Sequence, residues 1–457
     1  MNKFFVSAMF LLGLCCASCS SDEGFSYSQN PVTNSELKTF LVQKGYQFSE
    51  DGKLLMDDLA QNTKTLDFSG SKISTDALAE LSIFPNLTDV DLSDNGYGPT
   101  FDFAKLPEQI TGVDLRGNEL YDFEGLVDVK MENDERQTTV LHNLKKLYLP
   151  ESAKYNVEDL MPYYETAGET TDMQMINKDN TLEKYNTLRE IPDEYFRAYL
   201  KTVYPSLFVT DNQIDISKPQ SINEQGQNLM LGLMTQYDDL DKIASVEGVE
   251  YFINNPFYKP SIIALNCADF KNPVIVHYVT PRSNIKALLL YNVNTPSGID
   301  FSKATSLSAL QLSNDDGIKS IDLTNTAFAN QEIEDFDVLA GNNIGLISCK
   351  NLEEVKFNTS AKGYTADIQF VDLPSLKQLD LSFIVGITSF TLQSLPNCTI
   401  VYPLDKLKYR YHDSRGLIEL PSRRYKIGFD ITEDVNKLEA TQTFINKFKE
   451  SLKVSVE

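Results

Sequence analysis

Apolar side chains spaced as L-x-x-L-x-L return along much of this 457-residue chain. Self-similarity at a fixed period decides an architecture more firmly than any local propensity. The spacing puts three apolar side chains on the inner side of a short strand and its approach turn. Leu87, Val90 and Leu92 fit it and are followed by Asn95; Ile110, Val113 and Leu115 fit it and are followed by Asn118. Leu144, Leu147 and Leu149 fit again, after an insertion around Lys130 to Thr139. An asparagine at that offset can satisfy backbone groups that stacked strand edges would otherwise leave unpaired.

In the second half one series begins at Ile262, Ile285, Leu307, Ile333 (loosely), Leu352 and Leu376, in steps mostly of 22 to 24 residues. A second lies about half a period away, at Ile299/Phe301, Ile318-Ile321-Leu323, Ile344/Leu346, Ile368/Phe370 and Ile387-Phe390-Leu392. The 11-residue gap from Leu307 to Ile318 recurs from Leu376 to Ile387 and is too short for a full coil. It fits a coil with a short strand on each side; the competing account is a β-sandwich with coincidental spacing. These motifs resemble the leucine-rich-repeat family, in particular its alternating bacterial short-repeat subclass. The resemblance implies an α/β repeat fold, a solenoid of two stacked units with helical caps. Cys267, Cys349 and Cys398 fall at inward positions of this register and read as core thiols.

Two segments interrupt the repeats. Glu190-Ile191-Pro192-Asp193-Glu194-Tyr195-Phe196-Arg197-Ala198-Tyr199-Leu200, and more loosely the stretch from Asn34 to Leu54, resemble the helical lead-in modules of certain bacterial leucine-rich-repeat proteins. Asp193 can cap such a helix, with Phe196, Leu200 and Val203 on one face. Relatives follow this helix with a calcium-type loop. Here Val209 and Gln213 stand at two of its acidic positions, with Asp211 between them, and the first module keeps Asp51 but offers Gln47 and Ser49. A calcium loop needs several alternating oxygen ligands, so neither a working calcium site near Asp51 or Asp211 nor any other metal or cofactor is expected.

Lys3, the apolar run Phe4 to Leu14 and the small pair Ala17-Ser18 before Cys19 form a targeting segment. They resemble a bacterial lipoprotein signal, which implies a lipid on Cys19 and an outer-membrane address; Cys16 departs from the usual Leu. Ser20-Ser21-Asp22-Glu23 resembles the surface-export tract of some gut Gram-negative lipoproteins, which implies an outward face, with a periplasm-facing anchor as the alternative. The expected organisation is a signal at 1–19, a linker at 20–34, cap and repeats at 35–150, an irregular connector at 151–188, a helical cap at 189–260, repeats at 261–401 and a C-terminal cap at 402–457. Within that last cap Val435 to Leu452 alternates like one amphipathic helix.

A formal net charge of −24 opposes nucleic-acid binding, which rests on Lys and Arg at phosphates. The three histidines, His142, His277 and His412, have no metal-site spacing, and no nucleophile elbow or phosphate loop occurs. The expectation is therefore a binding protein and not an enzyme. Outward strand positions form the candidate contact surface: Asp89, Asp91, Asp114, Tyr148, Leu289, Tyr291 and Asp380, a polar, acidic ribbon on each array with Leu289 and Tyr291 as its apolar centre. Two functions follow. One is a surface adhesion or protein-binding module, as the resemblance implies. The other is glycan capture beside a nutrient-uptake system, through Tyr155, Tyr163 and Tyr164 in the connector.

Overall fold

The computed structural model describes residues 26–132, 135–233, 237–267, 273–329, 343–360, 363–365, 367–405, 407–410 and 417–457. Cys19, the Ser20–Glu23 tract, Ile333 and His412 lie outside them. The fold is mixed α/β and rich in parallel strands. Among the described residues no helix is long and apolar enough to cross a membrane.

The first part opens with the strand Tyr27–Pro31, paired antiparallel with Lys53–Leu55, so the expected linker at 20–34 is in part a sheet element. The helix Ser35–Gln43 follows; its first turn is closed by the Asn34 side chain accepting from the Leu37 N–H, and it buries Leu37 and Leu41. A six-stranded sheet follows. From Thr65–Asp67 it runs through Asp89–Asp91, Gly112–Asp114, Lys146–Leu149 and Asp172–Ile176, all parallel, to the antiparallel edge Leu182–Lys184. Leu66, Val90, Val113, Leu147 and Met173 stand opposite one another in successive strands, and all are buried. The chain returns through 3₁₀ helices at Thr75–Ile83, Phe103–Lys105 and Glu151–Tyr155 and the helix Leu160–Ala167. The insertion is an antiparallel hairpin, Val127–Glu132 with Glu135–Val140.

Asn95 and Asn118 knit these turns together. Asn118 Nδ2 donates to the carbonyls of Leu92 and Leu115, and its Oδ1 accepts from the N–H groups of Asn95 and Tyr97. Asn95 repeats the pattern one turn earlier, donating to Phe68 and accepting from Lys72.

Residues 151–188 are not irregular. Their helix and two strands complete the six-stranded sheet. Polar Thr, Asp and Glu residues obscure the pattern because only Met173 of the Asp172–Ile176 strand is fully buried.

The second part begins with the helix Glu194–Val203. Asp193 Oδ1 accepts from the N–H groups of Tyr195 and Phe196, and Oδ2 accepts from Ala244 and Ser245, so one carboxylate both caps the helix and ties down a distant loop. Nine parallel strands then stack: Leu229–Leu231, Ile262–Asn266, Ala287–Tyr291, Ala309–Ser313, Ile344–Ile347, Asp367–Val371, Ser389–Gln393, Ile427–Ile431 and Leu452–Val456. One inward column passes in register through Leu231, Leu265, Leu290, Leu312, Leu346, Phe370, Leu392, Ile431 and Val456. A parallel column ends at Phe390, Phe429 and Val454.

The residue after five of these strands is left-handed: Asn292, Asn314, Ser348, Asp372 and Ser394, with φ between 54° and 58°. Each sharp corner falls on a short polar residue, among which Asn and Asp tolerate that region best.

A second parallel sheet carries Ser320–Asp322, Glu354–Lys356, Gln378–Asp380 and Thr399–Val401. The two apolar series exchange faces within the array. Leu310 and Leu312 belong to the nine-stranded sheet, whereas Val355 and Leu379, read as members of the same series, lie in the four-stranded one, opposite Ile321 and Ile400. From Leu312 to its partner Leu346 the chain travels a period and a half. Both faces use the same apolar code, so an added half-period leaves the spacing intact while exchanging the sheets.

The tail also departs from expectation. Val435 to Leu452 is not one helix but two short ones, Glu433–Asn436 and Glu439–Lys447, followed by the strand Leu452–Val456. Phe444 packs against Phe390, Phe429 and Tyr402, which requires a break at Leu438 to turn the second helix onto the core. Cys267, Cys349 and Cys398 are free and buried.

Candidate functional site

The contact residues inferred for the first array share one sheet, whereas those of the second are divided between two. Asp89, Asp91, Asp114 and Tyr148 stand on the six-stranded sheet, Leu289 and Tyr291 on the nine-stranded sheet, and Asp380 on the four-stranded sheet. Several of these carboxylates are committed to their own chain. Asp91 accepts from the N–H and hydroxyl of Ser93, and Asp380 from the Ser382 N–H. Asp67 and Asp322 do the same with Ser69 and Thr324. The hydroxyl and N–H of Ser69 hold the Asp67 carboxyl below its ordinary range.

Asp114 is buried, opposite to its expected exposure, and accepts a forked pair from Arg116 at 2.6–3.0 Å. Arg116 and Lys146 both lie over the Tyr148 ring, and the Tyr148 hydroxyl donates to Asp172. Leu289 is half-buried, as is Tyr291, and packs against Ile262, Ala264, Ala287 and Ala309. The repeated D-L-S/T at strand ends was the available signal: an Asx turn accounts for those aspartates without any partner.

The aromatic residues of the connector face inward as well. Tyr163 is fully buried, with its hydroxyl against the Leu144 N–H and Thr171; Tyr164 packs on Tyr185. Tyr155 is 3% exposed and lies against His277, Tyr121 and Tyr251, with ring centroids 5.5–6.3 Å apart. Its ring faces are covered by protein, so they offer no stacking platform to a sugar.

Tyr155 marks the seam where the two parts of the chain meet, and beside it opens a cleft of about 940 Å³. Asn118, Glu119 and Glu151 supply one wall, the Asn177–Asn180 turn and Glu183 the lip, and Arg189, Glu190, Gln213 and Glu247 the other wall. Six carboxylates (Glu119, Glu151, Asp179, Glu183, Glu190, Glu247) face four cations (Lys154, Lys178, Lys184, Arg189). Lys154 bridges Glu247 at 2.9 Å and Glu151 at 3.1 Å, and Lys178 pairs with Glu190 at 3.0 Å. Arg189 is buried and gives its donors to the carbonyls of Lys154, Asn186 and Leu188. The cleft is therefore acidic and rich in side-chain amides.

Sequence reading missed the charges beneath this seam. Asp122, Glu158 and Asp159 bring carboxylate oxygens within 4.8 Å of one another, a spacing that could hold a cation. Two basic groups answer them: Lys303 lies 2.9 Å from Glu158 and 3.5 Å from Asp122, and the buried Arg282 pairs with Glu158. Burial, with the Asp122 charge beside it, pushes the Asp159 carboxyl well up. Glu250 is wholly buried across the seam, accepting from the N–H groups of Gly248 and His277, and burial raises it to about 7. The signal was present, since Glu250 interrupts the apolar run Val249 to Ile253. Asp51 is exposed beside Lys53, and Asp211 is exposed and engaged by Lys201 at 2.6 Å.

No protein-family model matches this chain, and no curated protein sequence matches it.

Proposed function

We propose that this protein is an exported, lipid-anchored leucine-rich-repeat protein of the outer membrane, facing outward, that binds a basic segment of another protein. The observation that carries the reading is the acidic, amide-rich cleft of about 940 Å³ between its two repeat units. A groove with six carboxylates and four cations, part of whose cations are already paired, attracts Lys and Arg side chains. Side-chain amides such as Asn118, Asn177 and Gln213 suit the alternating donors and acceptors of an extended main chain.

A glycan is the second reading, favoured by those same amides. It has less support, because the Tyr121, Tyr155 and Tyr251 rings cover one another and His277. Neither reading assigns an enzymatic step.

The test immobilises the chain without residues 1–19 and exposes it to basic peptides, matrix proteins and a glycan array at low and high salt. A peptide or protein that binds, weakens in high salt and is lost with Glu119→Gln/Glu247→Gln supports the proposal. Glycan binding indifferent to that double substitution, with no protein bound, overturns it.

A further inference from the structure

The nine-stranded sheet ends on an open strand. Every earlier member of its two inward columns is buried, yet Val454 and Val456, which continue those columns, keep 39% and 42% of their surface. They are core-side residues, and among the described residues no further strand is laid beside them. Among the described residues no strand pairs with the far edge of Leu452–Val456.

The main chain of that edge is addressed outward. Ile427 donates to the Ser451 carbonyl, and Glu457 donates to the Ile431 carbonyl. Residues 451, 453, 455 and 457 thus turn their backbone groups toward the neighbouring strand, and Val454 and Val456 turn theirs away. A regular row of outward N–H and C=O groups on a β-branched strand is a template for another strand.

The sequence of the edge names its occupant. Lys453-Val454-Ser455-Val456-Glu457, laid antiparallel on itself about Ser455, places Lys453 opposite Glu457 twice and Val454 opposite Val456 twice. The same register sets the two outward-facing residues against each other as hydrogen-bonded pairs, as an antiparallel ladder requires. Centring on Val454 or Val456 keeps that parity but loses both ion pairs. We infer that two copies of this chain form a two-fold dimer by antiparallel pairing of their Leu452–Val456 strands, which continues the nine-stranded sheet across the dimer axis and covers Val454 and Val456. The contact is isologous, so it closes at two copies.

Disulfide trapping in the full chain tests this. At the dimer axis two Ser455 residues form a non-hydrogen-bonded pair with Cα atoms about 4.5 Å apart, within reach of a disulfide. Ser455→Cys is expected to give a covalent dimer on mild oxidation, above the background of the parent chain. Adding Lys453→Glu or Glu457→Lys sets like charges opposite each other and is expected to abolish the dimer; combining the two restores the pairs and the dimer. These side chains are exposed, so thermal melting of each variant is expected to match the parent. No cross-link from Ser455→Cys, or single charge reversals that cross-link as well as their parent, would overturn the inference.

Discussion

Asn118 holds four backbone groups from two successive turns with one amide, and its side chain is buried. Removing it leaves buried donors and acceptors without partners, which costs more than the hydrogen bonds themselves contribute. Asn118→Ala is therefore expected to lower stability by about 2–3 kcal/mol, read from the urea midpoint at an unchanged slope. The strand-end aspartates are a milder case. Asp380 closes one turn at a half-exposed site, so Asp380→Ala is expected to cost about 1 kcal/mol or less and to leave partner capture unchanged in the binding assay. A loss of binding there would return the aspartates to the contact surface.

Among the elements, the helix Glu194–Val203 depends on a residue outside it. Asp193 caps it with one carboxylate oxygen and ties Ala244 and Ser245 with the other. A helix cap contributes about 1 kcal/mol, and the two further N–H groups add to that. Asp193→Ala is thus expected to cost about 2–3 kcal/mol, while Asp193→Asn, which keeps an acceptor at one oxygen, is expected to lose less. Denaturation curves of the pair measure the difference. The strand Leu452–Val456 shows how far an element can escape its local pattern. Its alternation of Leu452, Val454 and Val456 suits a strand, but it follows closely on a helical face, and only pairing with Ile427–Ile431 decides between the two.

Across the whole molecule, the seam between the two parts carries buried ionisable groups that tune stability with pH. The Glu250 carboxyl is raised from 4.5 to about 7 by burial, so the fold holds its proton more tightly than the unfolded chain does. Its contribution is fully present below the unfolded value and is lost as pH rises through about 7. Asp159 is shifted in the same direction. The parent is expected to lose stability between about pH 5 and about pH 8 relative to a Glu250→Gln variant, whose curve lacks this term. Thermal melts of both proteins across that range check it; parallel curves would show that Glu250 does not titrate at the seam.

What the sequence determined by itself is local and periodic. The inward positions Leu288, Leu290, Leu310, Leu312, Leu379 and Leu381 are all buried, because burial at a fixed spacing is written residue by residue. The Asn95 and Asn118 bonds and the Asp193 cap are likewise short-range chemistry. The tertiary structure alone decided which of two similarly patterned sheets each strand joins, since a half-period added between Leu312 and Leu346 changes no local signal. It also decided the fate of side chains whose environment comes from afar. Tyr155 looks like a free aromatic until His277, more than a hundred residues away, covers its face. The cleft and the charges beneath it exist only where the two parts meet, because Glu158 finds Arg282 and Lys303 through packing that no spacing rule encodes.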